Sequence, residues 1–426
     1  MKTIGIIAEY NPFHAGHAYH ISETKRVAGG GSDIVCVMSG NFVQRGDFAV
    51  FEKHARAKAA VYGGADLVVE LPSPYALLSA EGFARAGVSL LDSLGVCDSL
   101  SFGSESGDVT VLAKAAEAII TREAAATLRE WLNKGAPYAL AQQKAARATL
   151  GAEAEVFMSP NNLLGIEYLK AIMAAKSPMQ PMTVRRVGGG HDGKTGWSAS
   201  AIRENLAELV TPGLSTVFQA ESDDSRNQRG LSRTLQTEED NGRDTVSLSP
   251  VLRAELDAGR GPVTAQAFET AVLSRLRKLE DLSGLPGISE GLDSRFLRYI
   301  STEATVAGIL NKVKTKRYAM SRLRRTLICA CLGITSDITA EPPPYIKVLA
   351  MNSTGMRLLR EIGKHAAIPI ITKPASAKKL SGRAGDMFKM EAAATDFYVL
   401  GYPGAAMRTG GQEWKHSPAV CTGGQE

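Results

Sequence analysis

Two histidines, His14 and His17, stand three residues apart with a glycine between them, just after a short apolar run. If the chain turns helical there, both rings share one face of the first turn. A helix N-terminus presents unpaired backbone N–H groups and a partial positive charge. Imidazoles at that place can donate hydrogen bonds to phosphate oxygens. Fixed donors aimed at charge building on an α-phosphate lower the barrier to attack at that phosphorus. The ligand such a pair suits is a nucleoside triphosphate. A zinc site fits less well, because no third ligand follows at a metal spacing. Two surface histidines at a helix start would be the plain alternative, and the context argues against it. The apolar run Thr3 to Ala8 reads as a strand, Asn11-Pro12 ends it, and Gly16 lets the backbone come close to a ligand.

The elements that must position these rings follow from hydrophobic periodicity. Strands are predicted at Thr3–Ala8, Asp33–Met38, Asp66–Leu71, Ser99–Phe102, Val156–Met158 and Thr183–Val187. Helical spacing covers Pro74–Leu94, Val109–Leu132 and Leu163–Ala174. This alternation predicts an α/β fold, a Rossmann-like parallel sheet covered by helices. Ligands of such sheets bind at the carboxyl edge, where the histidine pair falls. Residues 1–212 would form this nucleotide-binding domain. Residues 213–248 are polar and charged and read as a linker or mobile loop. Residues 249–402 would form a second, mostly helical basic domain, with strands near 345–350 and 366–372 and a capped helix from Ser353. Residues 403–426, with paired glycines, read as a flexible tail.

Composition excludes some classes. The 426 residues carry a net charge of +5, and 44% of them are hydrophobic, as in ordinary globular proteins. Five scattered cysteines form no CxxC pair and no disulfide framework. The apolar N-terminal run is too short for a signal peptide, and no segment reaches membrane-spanning length. A cytoplasmic protein is expected.

Other residues suit the same chemistry. Ser39, Gln44 and Arg45 follow the second strand beside Gly40 and Gly46, and would fit acetate, a phosphate or a nucleotide. Lys53, Arg56 and Lys58 read equally as phosphate contacts or a solvated helix face. Asn161 and Asn162 precede a helical run and suit a cap, a ligand contact, or one of each. The stretch 188–195 fits G-x-x-x-x-G-K-T letter for letter. A phosphate loop needs its helix to start at the lysine, and here Gly196-Trp197 intervenes, so that reading is set aside. Residues 304–336 contain no acid but hold Lys312, Lys314, Lys316, Arg317, Arg322, Arg324 and Arg325, with Tyr318 placed to stack on a base. Charge alone points to a polyanion such as nucleic acid.

Taken together, TIGIIAEYNPFHAGH at 3–17, SGNFVQRGD at 39–47, KHARAK at 53–58, GADLVVELP at 64–72, FGSE at 102–105, SPNN at 159–162 and KTKRY at 314–318 resemble one family. They are similar to the HIGH-type nucleotidylyltransferases, and more closely to the tRNA-methionine cytidine acetate ligases. The resemblance implies that acetate attacks ATP to give acetyl-adenylate, and that the wobble cytidine of elongator methionine tRNA then takes the acetyl group. ATP is a substrate in this scheme; Mg2+ is compatible with it, although the sequence does not show it. The implied ATP contacts are Ile7, Ala8, Glu9, Tyr10, Asn11, Pro12, Phe13, His14, Ala15, Gly16, His17, Ala18, Tyr19, His20, Gly103, Asn161, Asn162, Arg185 and Arg186. WSASAIR at 197–203 resembles the second signature of these enzymes but departs at Trp197 and Ala199. Ser198 or Ser200 would cap a helix onto phosphate and Arg203 would neutralise pyrophosphate. The basic residues of 312–325 would bind tRNA. Two other functions use part of this pattern: an adenylyltransferase building a dinucleotide cofactor, and a nucleotide-sensing RNA-binding protein without turnover.

Overall fold

The computed structural model describes residues 2–186, 199–208, 248–289 and 291–422. Its centre is a mixed sheet. The strands in chain order are β1 (Thr3–Ala8), β2 (Asp33–Ser39), β3 (Phe42–Val43), β4 (Asp47–Phe48), β5 (Leu67–Leu71), β6 (Ser99–Ser104), β7 (Gln180–Arg185), β8 (Ile346–Met351), β9 (Ile370–Ile371) and β10 (Ala419–Val420). Spatial order is β10-β8-β5-β2-β1-β6-β7, with β9 also on β8, while β3 and β4 form a separate hairpin. From β5 to β7 every pairing is parallel, and β8 joins β5 antiparallel.

Alternation along the strands assigns the two faces. Ile4, Ile6, Ile34, Cys36 and Val68 enter one core with α2 (Lys53–Tyr62). Ile7, Val35, Val37, Leu67 and Val69 enter the other with the helix Ala80–Leu94. A third core joins Phe42 and Phe48 of the small hairpin to helices between 269 and 398. There Phe48 stacks on Phe268 with ring centroids 3.8 Å apart. Order reverses beside β1, which lies between β2 and β6. That is the switch point at which such sheets form a ligand crevice. The helix α1 (Ala15–Val27) begins there.

Three expectations are corrected. Val156–Met158 is not a strand but the end of the 3-10 helix Gly151–Met158. Three apolar letters carry no readable period, and Phe157 is buried among helices. The single helix expected over 109–132 is two, Val109–Ile119 and Arg122–Asn133. Thr121 caps the second by accepting the Ala124 N–H at 3.2 Å. Finally, residues 403–422 do not fray: β10 pairs with β8, and Glu413 is fully buried against two lysines. Glycine pairs signal permissive backbone, whereas burial of a distant charge decided this segment.

Candidate active site

The histidine pair forms the mouth of α1. His14 is the N-cap and His17 the third helical residue, and their ring centroids lie 3.9 Å apart. His14 Nδ1 accepts the Gly16 N–H at 3.0 Å, and His17 Nδ1 accepts the His14 N–H at 3.3 Å. Each Nδ1 therefore offers a lone pair, and in the neutral ring the proton sits on Nε2. Two Nε2–H donors remain for a ligand. Gly16 is needed because a Cβ there would lie 2.9 Å from His14 Cε1 and push the ring aside. Tyr10 holds the turn before it in a left-handed conformation, φ 48°, and packs edge-on against His17 with centroids 4.9 Å apart. A left-handed non-glycine residue costs of order 1–3 kcal/mol and persists only where its surroundings fix it. Here the buried Tyr10 hydroxyl meets Cys36 Sγ at 3.3 Å.

Electrostatics keep these rings neutral. Burial, followed by the Arg186 and Arg203 charges, pushes His14 down to about 4. Burial, then Arg186, pushes His20 down to about 4, and burial with His14, His20 and Arg186 holds His17 far below its ordinary value. As pH falls from 8 to 5, His14 and His17 should therefore stay neutral with Nε2 protonated. Two-dimensional 1H–15N imidazole spectra check this; midpoints near 6.5 would contradict it. His20 Nε2 lies 3.1 Å from Ser101 Oγ, which also meets Thr24 Oγ1 at 2.7 Å. Neither Ser101 nor Thr24 was legible as a partner, since β6 meets α1 only in the fold.

The remaining candidates divide. Arg203 donates to the Asn11 carbonyl at 2.8 Å and to Ser200 Oγ at 3.1 Å, which brings the second signature onto the first. Ser198, Trp197 and the stretch 188–195 lie outside the described residues, as does nearly all of 213–248. Gly103 faces Arg186, whose Cγ would be 3.3 Å from an added Cβ, whereas Arg185 packs over Gly107. Arg186 is the arginine whose charge acts on His14, His17 and His20. Asn161 and Asn162 are both tied to Glu105. Asn161 Nδ2 donates to Glu105 Oε1 at 2.6 Å, and Asn162 Oδ1 accepts the Glu105 and Ser106 N–H groups at 2.9 and 3.0 Å. Glu105 was missed; its place at the carboxyl end of β6 was the available signal.

Ser39 is buried with its hydroxyl unpartnered among the described residues. Gln44 sits between two charges, its N–H on Glu9 Oε1 at 2.6 Å and its carbonyl on Arg325 at 3.0 Å. Arg45 is exposed. Lys53 and Arg56 contact no ligand space, because both are fully buried. Arg56 donates to the carbonyls of Phe51, Glu9, Ser39 and Gly40, locking the carboxyl ends of β1 and β2 together. A cleft of about 270 Å3 opens beside Arg203, lined by Asp47, Ser200, Glu204 and residues 262–265.

The basic residues are also divided. Lys312, Lys316, Arg317 and Arg324 are exposed. Lys314 donates to Thr315 O at 2.6 Å, while Arg322 is engaged with Gly287 O and Ser289 Oγ at 2.8 and 2.7 Å. Tyr318 is buried beneath the Arg322 guanidinium, so it is no stacking platform on the surface. The helix Met320–Leu332 packs on Gly46, where a Cβ would stand 2.5 Å from the Arg325 nitrogen, so this basic helix adjoins the nucleotide crevice.

The family model described as HIGH Nucleotidyl Transferase matches residues 1–413. A tRNA(Met) cytidine acetate ligase of Acetivibrio thermocellus is 35% identical over 97% of this chain and 98% of its own length. The chain belongs to the tRNA(Met) cytidine acetate ligase family of HIGH nucleotidyl transferases. The protein of that name from Caldanaerobacter subterraneus is 36% identical over 96% of this chain and 97% of its own. Thermotoga maritima TmcAL, solved with alpha-thio ATP, superposes with a TM-score of 0.83 at 29% identity, over 99% of this chain and 100% of that one. That structure thus shares the fold of this chain along its length.

Proposed function

We propose that this chain is an ATP-dependent ligase that forms acetyl-adenylate and transfers the acetyl group to the N4 amine of the wobble cytidine of elongator methionine tRNA. The observation that carries the reading is the pair of neutral Nε2–H imidazoles at the mouth of α1, flanked by Arg186 and Arg203, in a chain similar to cytidine acetate ligases along its whole length. Acetate needs no base, since it is ionised at neutral pH. Its oxygen attacks the α-phosphorus, the bond to pyrophosphate breaks, and the imidazoles stabilise charge on the α-phosphate oxygens. Arg203, within reach of Ser200 and Asn11, would meet the departing pyrophosphate. Asn161, Asn162 and Gly103 would border the nucleotide. Among the described residues no group of three or more His, Cys, Asp or Glu side chains is arranged to hold a metal ion. Magnesium would enter held by triphosphate oxygens and water. Among the described residues no helix is long and apolar enough to cross a membrane.

Incubation with ATP, labelled acetate and bulk tRNA, then digestion to nucleosides, tests the reading. Labelled N4-acetylcytidine is expected; pyrophosphate release that needs no acetate would refute it. A cofactor synthase would release pyrophosphate only with a mononucleotide-type substrate, and a sensor would release none. The exposed Lys312, Lys316 and Arg324 should make tRNA binding salt-dependent. We expect log Kd against log salt to change with a slope of about 2 or more. A flat response in filter binding would remove these residues from the interface.

A further inference from the structure

Glu9 falls within the expected ATP-binding run Ile7 to His20, yet the adenylation step described above gives its carboxylate no proton to move. It follows β1 directly and stands two residues before Asn11, whose carbonyl holds Arg203. Its Oε1 accepts the Gln44 N–H at 2.6 Å. Its Oε2 has no hydrogen-bond partner among the described residues, and Glu9 makes no ion pair there, although Arg45, Arg56 and Arg203 are near enough to act on its charge. Across Gln44 lies Arg325 of the basic helix. The free oxygen therefore lies between the phosphate-binding turn and the face from which an RNA would approach.

We propose that Glu9 Oε2 accepts a hydrogen bond from the cytidine N4 amine and takes its proton during acetyl transfer. The inference rests on the tRNA-acetylating reading above. Carboxylates are the natural acceptors for the N4 amine of cytosine. The nitrogen lone pair attacks the acetyl carbonyl carbon, the carbon–oxygen bond to AMP breaks, and AMP leaves with that electron pair. The N4 proton passes to Glu9 and then to water. Burial raises the carboxyl above its ordinary range, against the opposing effect of the Gln44 N–H and the three arginines. A raised carboxylate is the better base near neutral pH. Asp47 is the rival. Its Oδ1 accepts the Phe48 N–H at 2.9 Å, and it sits on the small hairpin at the rim of the Arg203 cleft rather than beside the histidine turn.

The test separates the half-reactions. Acetate-dependent pyrophosphate–ATP exchange reads adenylation, and single-turnover acetylation of unmodified methionine tRNA by preformed enzyme-bound acetyl-adenylate reads transfer. Glu9→Gln keeps an oxygen for the Gln44 N–H, so the loop stays tied. We expect the ratio of transfer to exchange to fall by about 100-fold. The wild-type transfer rate should rise with pH at unit slope and then level, and this dependence should vanish in Glu9→Gln. A ratio within about threefold of wild type, equal loss of both steps, or a selective loss in Asp47→Asn instead would overturn the proposal. If wild-type protein forms acetyl-adenylate but acetylates no tRNA, the underlying reading fails and the role of Glu9 falls with it, a result distinct from a failure seen only in the variant.

Discussion

Replacing His17 by alanine lowers the turnover of acetate-dependent pyrophosphate–ATP exchange by about 100- to 1,000-fold, the usual cost of one preorganised donor to a developing oxyanion. The loss falls mainly on kcat, because charge on the α-phosphate oxygens grows in the transition state. A neutral ring suits this role, since its Nε2–H is fixed in place by the His14 N–H on Nδ1 before substrate arrives. The same bond gives His17 a structural task, so alanine also leaves one helix-start donor unpaired. That loss costs about 0.5–2 kcal/mol of stability, which an otherwise well-packed fold can absorb. His17→Asn offers a shorter acceptor and should melt closer to wild type while remaining as inactive. Near-normal exchange in either variant would remove the histidine pair from the chemistry.

Replacing Lys53 by methionine destabilises the fold by about 3–5 kcal/mol, the cost of leaving buried charge uncompensated. Lys53 Nζ lies 2.6 Å from Glu70 and 2.8 Å from Glu413, with all three side chains inaccessible to water. Lys347 lies 3.2 Å from Glu70 and also pairs with Glu413. A third carboxyl, Glu391, accepts the Ser73 N–H at 2.5 Å, and burial and the Glu70 charge push it up to about 7. Burial would raise Glu70 as well, but Lys347 and Lys53 outweigh it and hold it down to about 2. Two cations thus balance two anions, and burial together with the Glu70 charge disfavours ionisation of the third carboxyl. Removing Lys53 leaves Lys347 alone against Glu70 and Glu413. Adding Glu413→Gln to Lys53→Met should recover part of the loss, a coupling that a double-mutant cycle in urea reads directly. Independent, additive effects would show that the cluster does not act as a unit.

The cluster also shows where sequence reading stops. Lys53 and Arg56 occupy a helix face that a charge pattern alone assigns to solvent or phosphate. Both are fully buried because their partners come from elsewhere: Glu413 lies 360 residues from Lys53, and Arg56 reads carbonyls at two strand ends. Tyr318 misled for the same reason, since a tyrosine among lysines and arginines has no local feature that reports its burial. Glu105 was passed over, and Glu9 was named only as one of the ATP-binding run Ile7 to His20, because one carboxylate at a strand end carries no spacing to read. Their meaning comes from Gln44 and from the Asn161-Asn162 pair, each on another element.

What the sequence determined by itself was local. Short apolar runs set β1, β2, β5 and β6, and a pair of histidines around a glycine set the opening of α1. Period, capping and turn chemistry act over a few residues and do not depend on the rest of the chain. The tertiary structure alone decided that residues 346–420 would add β8 to β10 to this sheet, that Arg325 would reach the Gln44 loop, and that Arg186 rather than Arg185 would act on the histidines through its charge. Those outcomes follow from buried charges and backbone groups finding partners far away in sequence, and one-dimensional spacing holds no record of such a search.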